Sequence, residues 1–129
     1  NSNIIFLGEI SRNDVLTQLA NARALIFSSL HEGNPFVVYE AISTCTPIIC
    51  HNRYGMGFAV DESIGIKVEV ANYKNSLMRF SEAIDQIVLM NYSESDFKRV
   101  QENNSWGNRV AKIDMLYREV MSKKGVETT

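Results

Sequence analysis

Cysteine and proline are scarce in this chain, two of each in 129 residues. Cys45 and Cys50 lack a CxxC pair or His-rich surroundings, which argues against a disulfide framework or a zinc site. They read instead as small buried residues of a reducing compartment. No run of about 18 apolar residues occurs, so no membrane-spanning helix is expected, and no cleavable leader is recognisable. Neither charge dominates: 13 Lys and Arg against 15 Asp and Glu give a net charge of −2. The cations are scattered, which sets nucleic-acid binding aside. GxGxxG, a P-loop lysine and GxSxG are all absent, against a dinucleotide site, an NTPase and a nucleophile elbow.

What is present suits one globular domain, with 45% hydrophobic and 22% charged residues. Residues 3 to 8, NIIFLG, form an apolar run closed by Gly and predict a strand. Ser11, three residues before Asp14, predicts a capped helix with a buried stripe of Val15, Leu16, Leu19 and Ala20. ALIFSS (24–29), PIICH (47–51) and GIKVEV (65–70) predict three more strands, with a helix over 35–45 between the first two of them. Strands this apolar, alternating with helices, point to an α/β fold: a Rossmann-like parallel sheet of about four strands with helices on both faces. Four is few for such a sheet, so the domain is either compact or has its first strands upstream of residue 1. The chain turns helical after residue 73. Leu77, Phe80, Ile84, Ile87 and Val88 make one apolar face, Ser93 or Ser95 caps a short helix, and Val110, Ile113, Leu116, Tyr117 and Val120 line a last helix. Trp106 at its start is expected to be a packing anchor. The domain is expected to span 1–122, with 123–129 a flexible tail.

HEGNPFVVYEA, residues 31 to 41, lies where a strand gives way to a helix. In open parallel sheets ligands bind at that end of the strands. Asn34 suits an N-cap, Pro35 suits the first helical position, and Gly33 permits close backbone approach. Free N–H groups at a helix start, together with the helix dipole, attract an anion such as phosphate. Glu40 stands five residues beyond Pro35, about 7.5 Å up the axis, with its side chain leaning back toward the start. A carboxylate there suits the two hydroxyls of a ribose. The eight-residue spacing of Glu32 and Glu40 is not itself informative, since Glu94 and Glu102 share it. His31, beside Glu32, and His51, at the end of its strand, are further candidates to touch a ligand. Arg53 is either a phosphate partner or a surface arginine.

The run ALIFSSLHEGNPFVVYEAISTCTPII, with NIIFLGEIS before it and IGIKVEV after it, resembles the core of the family 4 glycosyltransferases of the GT-B fold and their Glu-x7-Glu motif. The resemblance covers nearly the whole chain. It implies the carboxy-terminal, donor-binding half of a retaining enzyme, whose donor substrate is a UDP- or GDP-linked sugar. Glu32 would then be the catalytic residue at the donor sugar and Glu40 the ribose ligand, with the backbone of Gly33, Asn34, Pro35 and Phe36 beside the diphosphate and sugar. Gly55 falls near a glycine-rich turn of the family, although the Pro-Glu pair that often follows is missing, and Cys45 stands where the family usually has Gly. No metal and no separate cofactor are implied. The amino-terminal acceptor domain and the cations that neutralise the departing diphosphate would lie upstream, and residues 1–129 alone would turn over nothing. A cytoplasmic enzyme is implied, working in solution or at the inner face of the membrane. Two other readings stand beside this one: a nucleotide-sugar epimerase of the same architecture, and a non-catalytic flavodoxin-like binding module whose anion site at 33–36 receives a phosphate or nothing.

Overall fold

The computed structural model describes residues 3–123. The expected tail thus lies, but for Lys123, outside the described residues. The elements run α1 (Arg12–Asn21), β1 (Leu25–Phe27), α2 (Phe36–Ser43), β2 (Ile48–His51), α3 (Tyr54–Ala59), β3 (Gly65–Val68), α4 (Tyr73–Ile87), α5 (Glu94–Asn103) and α6 (Trp106–Lys123). The three strands form one parallel sheet in the order β1-β2-β3. Leu25 is in register with Ile48, and Ile48 with Gly65.

Side chains along a strand point alternately to opposite faces, and β2, buried at all four positions, feeds a core on each side. Ile48 and Cys50 join Leu19, Val38, Ala41, Ile42, Phe97 and Val100, contributed by α1, α2 and α5. Ile49 instead packs with Val68 and with Ala83 and Ile87 of α4. The sheet is therefore covered by helices on both faces, as its continuous apolar strands require.

The sheet has three strands rather than about four. Residues 3–8 take no strand structure, and Ile4, Ile5, Phe6 and Leu7 are 52–92% exposed. An extended segment becomes a strand only when a neighbour accepts its backbone hydrogen bonds, and among the described residues none does so. The expected stripe of α1 narrows to buried Leu19 with Val15 and Leu16 half-buried, while Ala20 is exposed. On α4 only Ala83 and Ile87 are buried, and Leu77, Ile84 and Val88 stay open. No residue of α6 is buried, and its apolar row from Val110 to Val120 is 50–68% exposed. Trp106 is 80% exposed and anchors nothing.

Two helix ends repay inspection. Ser11 caps α1 as expected: its Oγ accepts from the Asp14 N–H at 3.2 Å and donates to Asp14 Oδ2 at 2.7 Å. At the end of α2, Cys45 adopts a left-handed φ of 55°. The Cys45 N–H donates to the Ile42 carbonyl and the Thr46 N–H to the Ala41 carbonyl, the paired bonds of a Schellman motif. Cys45 is consequently exposed, not buried, whereas Cys50 is buried in the sheet.

Candidate functional site

The loop from β1 into α2 and the loop from β2 into α3 both leave the carboxyl edge of the sheet, and one backbone hydrogen bond joins them. The Gly55 N–H donates to the Glu32 carbonyl at 2.9 Å. A Cβ at residue 55 would lie 2.5 Å from the Gly33 carbonyl oxygen, 2.8 Å from that of Glu32 and 2.9 Å from Pro35 Cδ. Only glycine permits the two loops to touch. His31, Glu32, Gly33, Asn34, Pro35 and Gly55 are thereby gathered into one place. The imidazole of His31 packs against Tyr54 with ring centroids 4.5 Å apart and the planes tilted by 60°. Tyr54 itself takes a left-handed φ of 48°, and the Arg53 guanidinium lies 4.6 Å from its ring centroid.

Helix α2 begins one residue later than expected. Pro35 occupies the N-cap, and its carbonyl accepts from the Val38 and Tyr39 N–H groups. No side chain caps this end, so Asn34 is not the cap. Among the described residues the Phe36 and Val37 N–H groups donate to nothing, and they open toward whatever occupies the helix start. A cleft of about 330 Å³ lies beside the loop into α2, bordered by Gly33, Gly55, Arg109 and Lys112, and neither Glu32 nor Glu40 lines it. It continues into a groove of about 430 Å³ along Asn34, Phe36, Tyr39 and Trp106. Phe36 is 73% exposed at its rim. Arg109 donates to the Tyr39 hydroxyl, so α6 meets α2 at this point.

The two glutamates differ in their surroundings. Glu32 is half-buried, and its Oε1 accepts only a long bond of 3.3 Å from Ser29 Oγ. Glu40 has a side chain 18% exposed, and its Oε1 accepts from Arg12 Nε at 2.9 Å. His51 is not joined to this group by any hydrogen bond. It is buried, its ring meets Phe80 of α4 edge-on at 4.9 Å, and its Nδ1 has no partner among the described residues. Burial pushes the Cys50 thiol up to about 11, so it is no nucleophile near neutral pH. Among the described residues no three His, Cys, Asp or Glu side chains assemble into a group able to hold a metal ion. No helix among them is long and apolar enough to cross a membrane.

The family described as glycosyl transferases group 1 matches residues 1–105. The chain belongs to the group 1 glycosyltransferases. No curated protein and no solved structure matches it. The matched span takes in the sheet, both glutamates and the Gly55 contact, and it ends just before α6. Glycosyl transfer is therefore the chemistry this glycosyltransferase domain serves. Three features of its site had no warning in the sequence. The Arg12 contact to Glu40 spans 28 residues. Tyr54 packs against a histidine in another loop. Arg109 reaches back to Tyr39 from the last helix. No spacing rule anticipates contacts of this range.

Proposed function

We propose that the chain is the donor-binding half of a retaining, two-domain glycosyltransferase of family 4 and GT-B type. A nucleoside-diphosphate sugar lies with its diphosphate at the start of α2, its ribose on Glu40 and its sugar beside Glu32. The observation that carries this reading is the Gly55 contact, which brings Glu32, Gly33 and the uncapped start of α2 together at the carboxyl edge of a parallel sheet. The unpartnered N–H groups of Phe36 and Val37, together with Arg109 and Lys112 at the cleft, have the sign of charge a diphosphate needs. When the bond from the anomeric carbon to the diphosphate breaks and an acceptor hydroxyl takes its place, these groups offset the charge that develops on the leaving oxygen. Glu32 acts at the sugar. The acceptor and further cations come from an amino-terminal domain of the same chain, and no metal takes part.

The test is sugar transfer by the full-length chain from UDP- and GDP-linked hexoses, with the anomeric configuration of donor and product read by NMR. Retention, with loss of turnover in Glu32→Gln, is the expected result. Inversion would refute the retaining assignment, turnover by residues 1–129 alone would refute the two-domain requirement, and interconversion of donor sugars without an acceptor would mark an epimerase.

A further inference from the structure

We propose that Arg12 is a positioning residue of the nucleotide site, one that holds the Glu40 carboxylate in the orientation that receives the ribose hydroxyls. The inference rests on the donor-site reading above and assigns a role to a residue of α1 that it does not include. Arg12 is the first residue of α1, and the Ser11 and Asp14 bonds fix where that helix begins. The backbone from which the guanidinium extends is therefore set, although the side chain itself is 78% exposed. The other end of α1 is tied to the same helix that carries Glu40. The buried Thr46 hydroxyl donates to the Leu19 carbonyl at 2.8 Å and meets the Thr44 hydroxyl at 2.8 Å. With its own hydrogen spent on Leu19, the Thr46 hydroxyl accepts from Thr44 Oγ1, which stands one turn beyond Glu40. Arg12 and Glu40 thus sit on two elements whose far ends are tied together through Thr46 and Leu19.

The carboxylate is mostly withdrawn from water and, among the described residues, receives a hydrogen bond from Arg12 alone. An ionised carboxylate offers about four acceptor positions. Arg12 takes one on Oε1, leaving room for a vicinal diol. An ion pair with so exposed a cation adds little to stability. A planar guanidinium does limit the rotation of the carboxylate it holds. Glu32, by contrast, has among the described residues only the long Ser29 contact on its carboxylate.

The experiment measures binding of the ribonucleoside diphosphate (UDP or GDP) and of its 2′,3′-dideoxy analogue to the full-length chain, in wild type, Arg12→Ala, Arg12→Lys, Glu40→Gln and the double variant Arg12→Ala with Glu40→Gln. Arg12→Ala is expected to weaken the ribonucleotide about 3- to 10-fold, in the lower range of coupling within one hydrogen-bonded network. The same variant should leave the dideoxy analogue and thermal melting unchanged, Arg12→Lys should recover part of the loss, and the effect should vanish in the Glu40→Gln background. Equal weakening of both ligands would mean that Arg12 touches phosphate or base itself, and no weakening would make the pair a surface contact. Either result overturns the inference, while the donor site stands so long as Glu40→Gln still weakens the ribonucleotide selectively. If Glu40→Gln makes no difference, both fall together.

Discussion

Replacing Gly55 with alanine separates fold from site. The added Cβ would stand 2.5 Å from the Gly33 carbonyl oxygen, roughly 0.9 Å inside ordinary van der Waals separation, and backbone is all it meets on that side apart from Pro35 Cδ. Gly55 does not have a positive φ, so the cost is one of space and not of backbone strain. Overpacking of this kind costs about 1–3 kcal/mol, and loss of the bond to the Glu32 carbonyl adds about 0.5–1.5 kcal/mol. Alanine's better helix propensity in α3 returns about 0.5–1 kcal/mol. The balance, about 0.5–4 kcal/mol, lowers the melting temperature by about 2–16 °C in a domain of this size. Ligand binding should suffer beyond that, because the retreating loop carries Glu32 and Gly33, and displacement of about 1 Å at a reacting site costs up to about 100-fold. Two glycines serve as controls in circular-dichroism melts and nucleotide titrations. At Gly57 a Cβ would meet the Asn52 side chain at 3.1 Å and its backbone carbonyl carbon at 3.3 Å, looser than anything at Gly55, so Gly57→Ala should melt closer to wild type than Gly55→Ala. At Gly33 a Cβ would meet nothing within 4 Å, so Gly33→Ala should leave stability unchanged while weakening nucleotide binding. A Gly55→Ala protein that melts and binds like wild type would refute the lock between the two loops.

Other expectations follow from the same geometry. Cys45→Gly should stabilise the chain by about 1 kcal/mol in urea melts, because glycine holds the left-handed φ of 55° without steric cost; a loss of stability would contradict the Schellman ending of α2. In the native protein a thiol reagent should modify one cysteine, Cys45, and reach Cys50 only on unfolding, whereas two fast-reacting thiols would contradict the burial of β2. Phe97→Ala, which removes a side chain 2% exposed, should cost about 3–5 kcal/mol, while Leu116→Ala on the open face of α6 should cost under about 1 kcal/mol in the same urea titration. Equal losses would mean that α6 is covered in solution.

The elements most legible in the sequence are those whose cause is local. Ser11 and Asp14 announce the start of α1 because a side-chain cap is written in adjacent residues. The strands at Leu25, Ile48 and Gly65 follow from apolar runs that only a two-sided sheet can bury. Helix α3 is not legible in the sequence because YGMGFA has two glycines and no long periodic stripe; Met56 and Ala59 bury it in the core. The start of α2 moved from Pro35 to Phe36, the kind of one-residue shift that helix boundaries commonly show. Residues 3–8 and the row on α6 expose the limit of periodicity as a guide. An apolar pattern says that a face favours burial, but burial needs a partner, and none of the described residues supplies it. At the site, the sequence resemblance raises Glu32, Gly33 and Glu40 as candidates, whereas the Arg12 contact arises only when α1 docks on α2.

The central claim is tested most directly by a nitrogen-edited NMR titration of the chain with UDP, GDP and their hexose conjugates, repeated on Glu40→Ala. The ligands are carried into the millimolar range, so that weak binding is also read. Shifts are expected at residues 31 to 40 and 53 to 57 and around Arg12, Arg109 and Lys112 for one nucleotide, abolished by the substitution. Shifts elsewhere, or shifts that survive Glu40→Ala unchanged, would contradict a donor site at the start of α2.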